Sequence, residues 1–186
     1  MVHETTNTNL APIVLIGLMG AGKTSVGQCL ARRLGLHFID ADDEVVKAAG
    51  CSIPEIFEVY GEKAFRDVEQ RVIERLLGEE RIVLATGGGA YMASRTRNYI
   101  KAHAISVWLR ADLKTLVDRT SKRKGRPLLN TGSPHKVLKN LMDIRYPVYG
   151  DANIIIDTGQ EEIKSSVDKV IAGLLNAQQN LESEFF

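Results

Sequence analysis

Five short apolar runs, rich in β-branched residues, recur along the chain, and each is followed by a stretch in which apolar positions return every three or four residues. The runs are Ile13 to Ile16, Leu36 to Asp40, Arg81 to Thr86, Ala104 to Leu109 and Asn153 to Asp157. Runs of this kind read as strands buried on both faces, the habit of a parallel sheet. The intervening stretches read as helices. Val26, Leu30, Ala31 and Leu34 share one face, and Val45, Val46 and Ala49 another. Ser52 with Glu55 forms a capping box, and Pro54 sits in the first turn of a helix through Ile53, Ile56, Phe57 and Tyr60 that Gly61 closes. A longer helix from Glu62 to Leu77 turns Phe65, Val68, Val72, Ile73 and Leu76 inward. Ser94 to Lys101, Asp112 to Arg119, Ser133 to Tyr146 and Glu161 to Leu175 complete the helices. The alternation predicts an α/β fold of three layers, a five-stranded parallel sheet flanked by helices. Residues 1–11 are polar and aperiodic and are expected to be a disordered tail, 12–176 a single domain, and 177–186 a loose C-terminal tail.

The first strand runs into Gly17-Leu18-Met19-Gly20-Ala21-Gly22-Lys23-Thr24 and then directly into a helix, which is the P-loop pattern in its required strand and helix context. A di- or triphosphate needs several backbone N–H groups aimed inward at once. Glycines let a tight loop take that shape, and the helix N-terminus adds partial positive charge. Gly20, Ala21, Gly22, Lys23, Thr24 and Ser25 form this cradle. Lys23 is expected to bridge the β- and γ-phosphates with a side chain that otherwise faces solvent, and the Thr24 hydroxyl to complete the shell of a Mg²⁺.

Other chemistry follows the second and third strands. Asp40, Asp42, Asp43 and Glu44 cluster where α/β proteins bind ligands. Asp43 and Glu44 suit the start of the next helix, whereas Asp40 and Asp42 are read as serving chemistry. Gly87-Gly88-Gly89 ends the third strand, as a backbone that must approach a ligand closely would require. Arg66 and Glu69, three apart on one helix, read as a surface pair contributing a few tenths of a kcal/mol. Residues 120–131 hold the basic run Lys122, Arg123, Lys124 and Arg126, and this segment is read as a mobile lid that brings an arginine onto a transferring phosphate.

Composition narrows the partners. Lys and Arg number 24 against 23 Asp and Glu, so a net charge of +1 gives no footing for nucleic acid or an anionic membrane. Cys29 and Cys51 match no disulfide framework and no metal spacing. With no basic leader and no run of 18 apolar residues, the chain is expected to be soluble and cytoplasmic.

Taken in order, the P-loop, Phe-Ile-Asp-Ala-Asp at 38–42, Gly-Glu-Lys-Ala-Phe-Arg-Asp-Val-Glu at 61–69, Thr-Gly-Gly-Gly at 86–89, Arg-Pro-Leu-Leu at 126–129 and Arg-Tyr-Pro-Val-Tyr at 145–149 resemble the shikimate kinases. The resemblance implies transfer of the γ-phosphate of Mg-ATP to the 3-hydroxyl of shikimate by a monomeric enzyme, with a P-loop kinase fold. It also implies roles. Arg66 and Arg145 would form the carboxylate fork, Asp42 would accept from the ring hydroxyls, and Gly87, Gly88 and Gly89 would offer backbone groups to shikimate. Asp40 would reach Mg²⁺ through water. Lys23, Asp42 and Arg126 would be catalytic, with Arg126 as the lid arginine, while Arg119 and Gln160 would lie near the adenine. Phe57 and Phe65 are either the apolar wall of the acceptor site or core. Two other readings stay open: a related kinase for gluconate or a nucleoside monophosphate, and a nucleotide-binding regulator without catalysis.

Overall fold

The computed structural model describes residues 11–79, 81–121 and 133–183. Among these the strands are β1 (Ile13–Ile16), β2 (His37–Asp40), β3 (Ile82–Ala85), β4 (Ile105–Ala111) and β5 (Ile154–Thr158). All neighbouring pairs are parallel, in the order β2-β3-β1-β4-β5. Every strand therefore points its C-terminal end at the same edge. The helices are α1 (Lys23–Leu34), α2 (Ala41–Ala49), α3 (Ile53–Glu79), α4 (Ser94–His103), α5 (Leu113–Ser121), α6 (Pro134–Tyr149) and α7 (Ile163–Ser183).

The two inner neighbours β1 and β3 are buried along their whole length, as their unbroken apolar sequence requires. β2 departs from the expected buried strand. It lies at the sheet edge, with His37 exposed and Phe38 to Asp40 half-buried. β5, the other edge, alternates buried and exposed residues.

Helix ends follow their capping residues. Ser52 and Glu55 close the capping box, with the Ser52 amide donating to Glu55 Oε2 at 2.7 Å and the Glu55 amide to Ser52 Oγ at 3.4 Å. α3 is continuous in its course but breaks at Gly61, whose φ of 79° and ψ of 173° interrupt it where the sequence separates two helices. Its first part is wetter than the apolar spacing predicts: Ile56 is buried, but Phe57 is 39% and Tyr60 67% exposed, because this turn lies beyond the sheet with only one flank against the body. α7 continues past Leu175, where the apolar pattern stops, through most of the segment expected to be loose. No Gly or Pro between Leu175 and Ser183 ends it. The proposed lid is also shorter at its start, since Thr120 and Ser121 form the last turn of α5 and Thr120 is buried, its hydroxyl donating to the Leu116 carbonyl at 2.7 Å. The rest of the lid and all but Ala11 of the N-terminal tail lie outside the described residues.

Gly17 shows why the P-loop begins as it does. Its φ is +146°, and a Cβ there would stand 2.7 Å from the Leu109 carbonyl oxygen of β4, an atom fixed by the sheet. Gly17→Ala should therefore lower stability by about 2 kcal/mol, a fall of roughly 4–8 °C in Tm for a chain of this size, read by thermal melting.

Candidate active site

The strand ends at the common edge carry the candidate residues. After β1, the loop turns through Gly20 and Gly22, at φ of 86° and 98°, into α1. A cavity of about 460 Å³ opens on this loop, within the usual range for small-molecule sites. It is lined by Gly20 to Ser25 and, from the other side, by Arg119, Thr158 and Glu161. The Arg119 guanidinium donates to the Gly20 carbonyl at 3.1 Å and to the Gly159 carbonyl, so it ties the P-loop to the turn after β5. Gln160 is exposed and is not part of this lining; Thr158 and Glu161 stand at that turn instead. Arg126 lies outside the described residues.

Lys23 does not face solvent as expected. Its half-buried ammonium donates to the Gly17 and Leu18 carbonyls at 2.8 and 3.2 Å, held over the loop it belongs to. Next to it, the Thr24 hydroxyl is 3.4 Å from Asp40 Oδ2. Asp40 also caps α2, its Oδ1 accepting the Asp42 amide at 3.1 Å. The division expected between capping and chemistry thus falls differently. Asp40 is the cap and also faces the Thr24 hydroxyl, while Asp42 lies inside the first turn and does not cap the helix.

Asp42 is half-buried, with Asp40 and Lys23 as its nearest charged neighbours in effect. Burial, then repulsion by Asp40, raises its pKa above the ordinary carboxylate value, and Lys23 and Arg66 offset part of this. Across the turn after β3, each glycine makes room for a different side chain. A Cβ at Gly87 would stand 2.9 Å from Glu69 Oε1 and 3.0 Å from Asp42 Oδ1; one at Gly88 would stand 2.9 Å from Arg145 Nη1; one at Gly89 would overlap the Arg66 guanidinium. The need is for close approach, since none of the three has positive φ. Gly87, Gly88, Gly89, Asp42, Arg66 and Arg145 are thereby brought together from four elements.

Glu69 is the residue the sequence reading missed. It is no surface partner of Arg66: it is 2% exposed, accepts from Arg66 Nη1 at 2.6 Å, and keeps Oε1 without a hydrogen-bond partner. Burial pushes its carboxyl up, and Arg66 pulls the other way. The signal was present, because Glu69 lies four residues after Phe65 and three before Val72, a carboxylate on the inward stripe of α3. Phe65 is core, 5% exposed, and carries the Arg66 guanidinium 4.9 Å above its ring. Phe57 meets it with ring centroids 4.8 Å apart and the planes tilted by 35°, so the pair is core at the Phe65 end and open at the Phe57 end. Tyr149, also unforeseen, is fully buried and donates its hydroxyl to the Gly88 carbonyl.

A P-loop cavity and, at the same sheet edge, a glycine turn met by two arginines and two carboxylates are the features of a P-loop kinase of a small anionic acceptor. The family model described as "Shikimate kinase" matches residues 19–175. The chain is 51% identical over 163 residues to a shikimate kinase of Paramagnetospirillum magneticum, covering 88% of this chain and 84% of that one. It is 48% identical over 171 residues to one of Ruegeria pomeroyi, covering 91% and 88%. The solved shikimate kinase of Acinetobacter baumannii in complex with shikimate superposes with a TM-score of 0.85 at 39% identity, over 90% of this chain and 94% of that one. This chain belongs to the shikimate kinase family. Among the described residues no helix is long and apolar enough to cross a membrane.

The raised carboxyl of Asp42 gives a signed expectation. A carboxyl whose folded pKa lies above its unfolded value favours folding when protonated, and that contribution is lost as pH rises through the folded pKa. Asp42→Asn removes the buried charge and its repulsion with Asp40 while Asp40 keeps the cap. The variant should melt higher than the parent at pH 7, and the gap should close at a second, acid pH below the ordinary carboxylate value, where the parent's carboxyl is protonated too. Melting curves at the two pH values check this; a variant that melts lower at pH 7 would mean that the Lys23 and Arg66 attractions dominate.

Proposed function

We propose that this chain transfers the γ-phosphate of ATP to the 3-hydroxyl of shikimate, giving shikimate 3-phosphate and ADP on the route to chorismate and the aromatic amino acids. One observation carries the reading beyond family membership: Arg66 and Arg145 reach the same glycine turn from two helices, beside Asp42 and next to the nucleotide cradle. A small ring with a carboxylate at one end and hydroxyls at the other fits such a site. The two guanidiniums would bind the carboxylate with paired donors, and Asp42 with Glu69 Oε1 offers acceptors for ring hydroxyls. Kinases of gluconate or a nucleoside monophosphate, and a regulator without catalysis, are less well supported by these neighbours and by relatives named as shikimate kinases.

The residues divide the work. Lys23 holds three ammonium protons, and moving from the Gly17 and Leu18 carbonyls onto phosphate oxygens exchanges neutral acceptors for charged ones. Thr24 and Asp40 present hydroxyl and carboxylate oxygens 3.4 Å apart, hard donors that fit Mg²⁺ and would hold it, Asp40 through water. When bound, the ion neutralises phosphate charge in the transition state. Asp42 would fix the acceptor hydroxyl in line with the γ-phosphate and take its proton, and its raised pKa makes it the stronger base. Arg119 would meet the adenine from its bridge between the P-loop and Gly159, with Gln160 beside it, and Arg126 would close over the phosphates from the lid. In this reading 12–176 is one catalytic domain, with its acceptor region at about 40–69, working as a cytoplasmic monomer without a nucleic-acid partner.

A coupled ADP-release assay with shikimate, gluconate, AMP and no acceptor tests the activity, and only shikimate should drive turnover. Arg66→Ala or Arg145→Ala should raise KM for shikimate about ten- to hundredfold, matching roughly 1.5–3 kcal/mol of charge-assisted bonding, and leave KM for ATP near its starting value. Initial-rate kinetics in both substrates decide this; a defect confined to ATP would reassign the arginines. Asp42→Asn should lower kcat by about two to four powers of ten, since position matters more than basicity in a loose phosphoryl transfer. Near-normal turnover in that variant would remove Asp42 from the chemistry.

A further inference from the structure

The last turn of α6 is held by rings. Trp108 of β4 packs edge-on against Tyr146 at 4.8 Å and Tyr149 at 5.8 Å between centroids, and Tyr91 meets Tyr149 at 6.4 Å. Tyr149 is 0% exposed, so its hydroxyl has no water to turn to and must find a partner inside the protein. That partner is the carbonyl of Gly88, the middle glycine of the acceptor turn. The same hydroxyl lies 3.5 Å from where a Gly88 Cβ would be, and Arg145, four residues back on α6, reaches that spot at 2.9 Å, so the hydroxyl and the guanidinium border the same small space. A peptide is planar and trans, so fixing the Gly88 carbonyl on Tyr149 turns the Gly89 N–H the opposite way. One buried oxygen thus sets a peptide of the acceptor turn and stands beside its guanidinium.

We infer that Tyr149 is a positioning residue for the acceptor: its hydroxyl fixes the Arg145 guanidinium and the Gly88–Gly89 peptide in the geometry that receives the acceptor's carboxylate end. This rests on the shikimate reading above. Tyr149 touches no substrate atom and acts through the Gly88–Gly89 peptide and the Arg145 guanidinium beside it. Three features favour it over a plain packing role. A phenylalanine would fill the same space, the hydroxyl is spent on the turn where four charged side chains meet the backbone, and the surrounding aromatics already secure the helix end.

The test is a double-mutant cycle on the full chain: the parent, Tyr149→Phe, Arg145→Ala and both together, with kcat, KM for each substrate and Tm measured on all four. Tyr149→Phe should raise KM for shikimate about five- to tenfold, leave KM for ATP within about twofold, and lower Tm by a few degrees at most. In the Arg145→Ala background the same change should raise KM for shikimate by about half as large a factor or less, because one of the two groups it positions is gone while the Gly88–Gly89 peptide remains. Full additivity, an unchanged KM in the single variant, or an equal rise in KM for ATP would overturn the inference. So would a Tyr149→Phe chain that no longer folds and binds ATP, since the hydroxyl would then be needed for the fold itself. A parent inactive on shikimate would instead strike the functional reading, which keeps the two failures apart.

Discussion

The structure depends on one constraint: β1 is hydrogen-bonded on both sides and buried on both faces, so the chain leaving it has only one way out. That exit is Gly17, pressed against the β4 backbone, and it starts the phosphate cradle. Because every neighbouring strand runs parallel to β1, the ends of β2, β3 and β5 arrive at the same edge with Asp40, the glycine turn and Thr158. The nucleotide cavity and the acceptor pocket are therefore neighbours by topology. Neither could move without shifting the sheet that positions both.

Around the acceptor turn the limiting factor is room. Four charged side chains from three helices converge on three residues, and any Cβ on that turn would displace one of them. Glycine is thus demanded here by the size of its neighbours and not by its dihedral freedom. The convergence also carries an electrostatic strain that pairing relieves only in part. Glu69 is buried with one oxygen on Arg66 and the other unpartnered, and Asp42 sits near Asp40 with its carboxyl pushed up. The fold bears the desolvation of these groups beside a large aliphatic sheet core.

The two pockets are joined by a few side chains that belong to both. Lys23 lies on the P-loop carbonyls yet influences Asp42, and Asp40 caps α2 with one oxygen while the other faces the P-loop threonine. Arg119 performs the same service on the far side, linking the P-loop to the turn after β5. Such double use is economical in a chain of 186 residues. It also means that the P-loop and the glycine turn share neighbours, so a change at Asp40 or Lys23 is felt on both sides.

From sequence alone the parallel α/β order, the P-loop, the capping box, the break at Gly61 and the set of acids, arginines and glycines at the strand ends are all legible, because each is written in local spacing: period, turn residue or fixed motif. What the chain cannot show locally is which strand becomes an edge, which is why β2 reads as buried and is not. Glu69 lies on the inward stripe of α3, but its spacing from Arg66 alone reads as a surface pair, and only the packing shows how fully this carboxylate is buried. The assignment of the α2 cap to Asp40, the resting place of Lys23 on its own loop and the grip of Tyr149 on Gly88 were likewise decided only by tertiary packing. The physical reason is the same in each case. Burial and hydrogen-bond partners come from elements far apart in the chain, and a side chain's role is settled by what water-excluding neighbours leave it to bond.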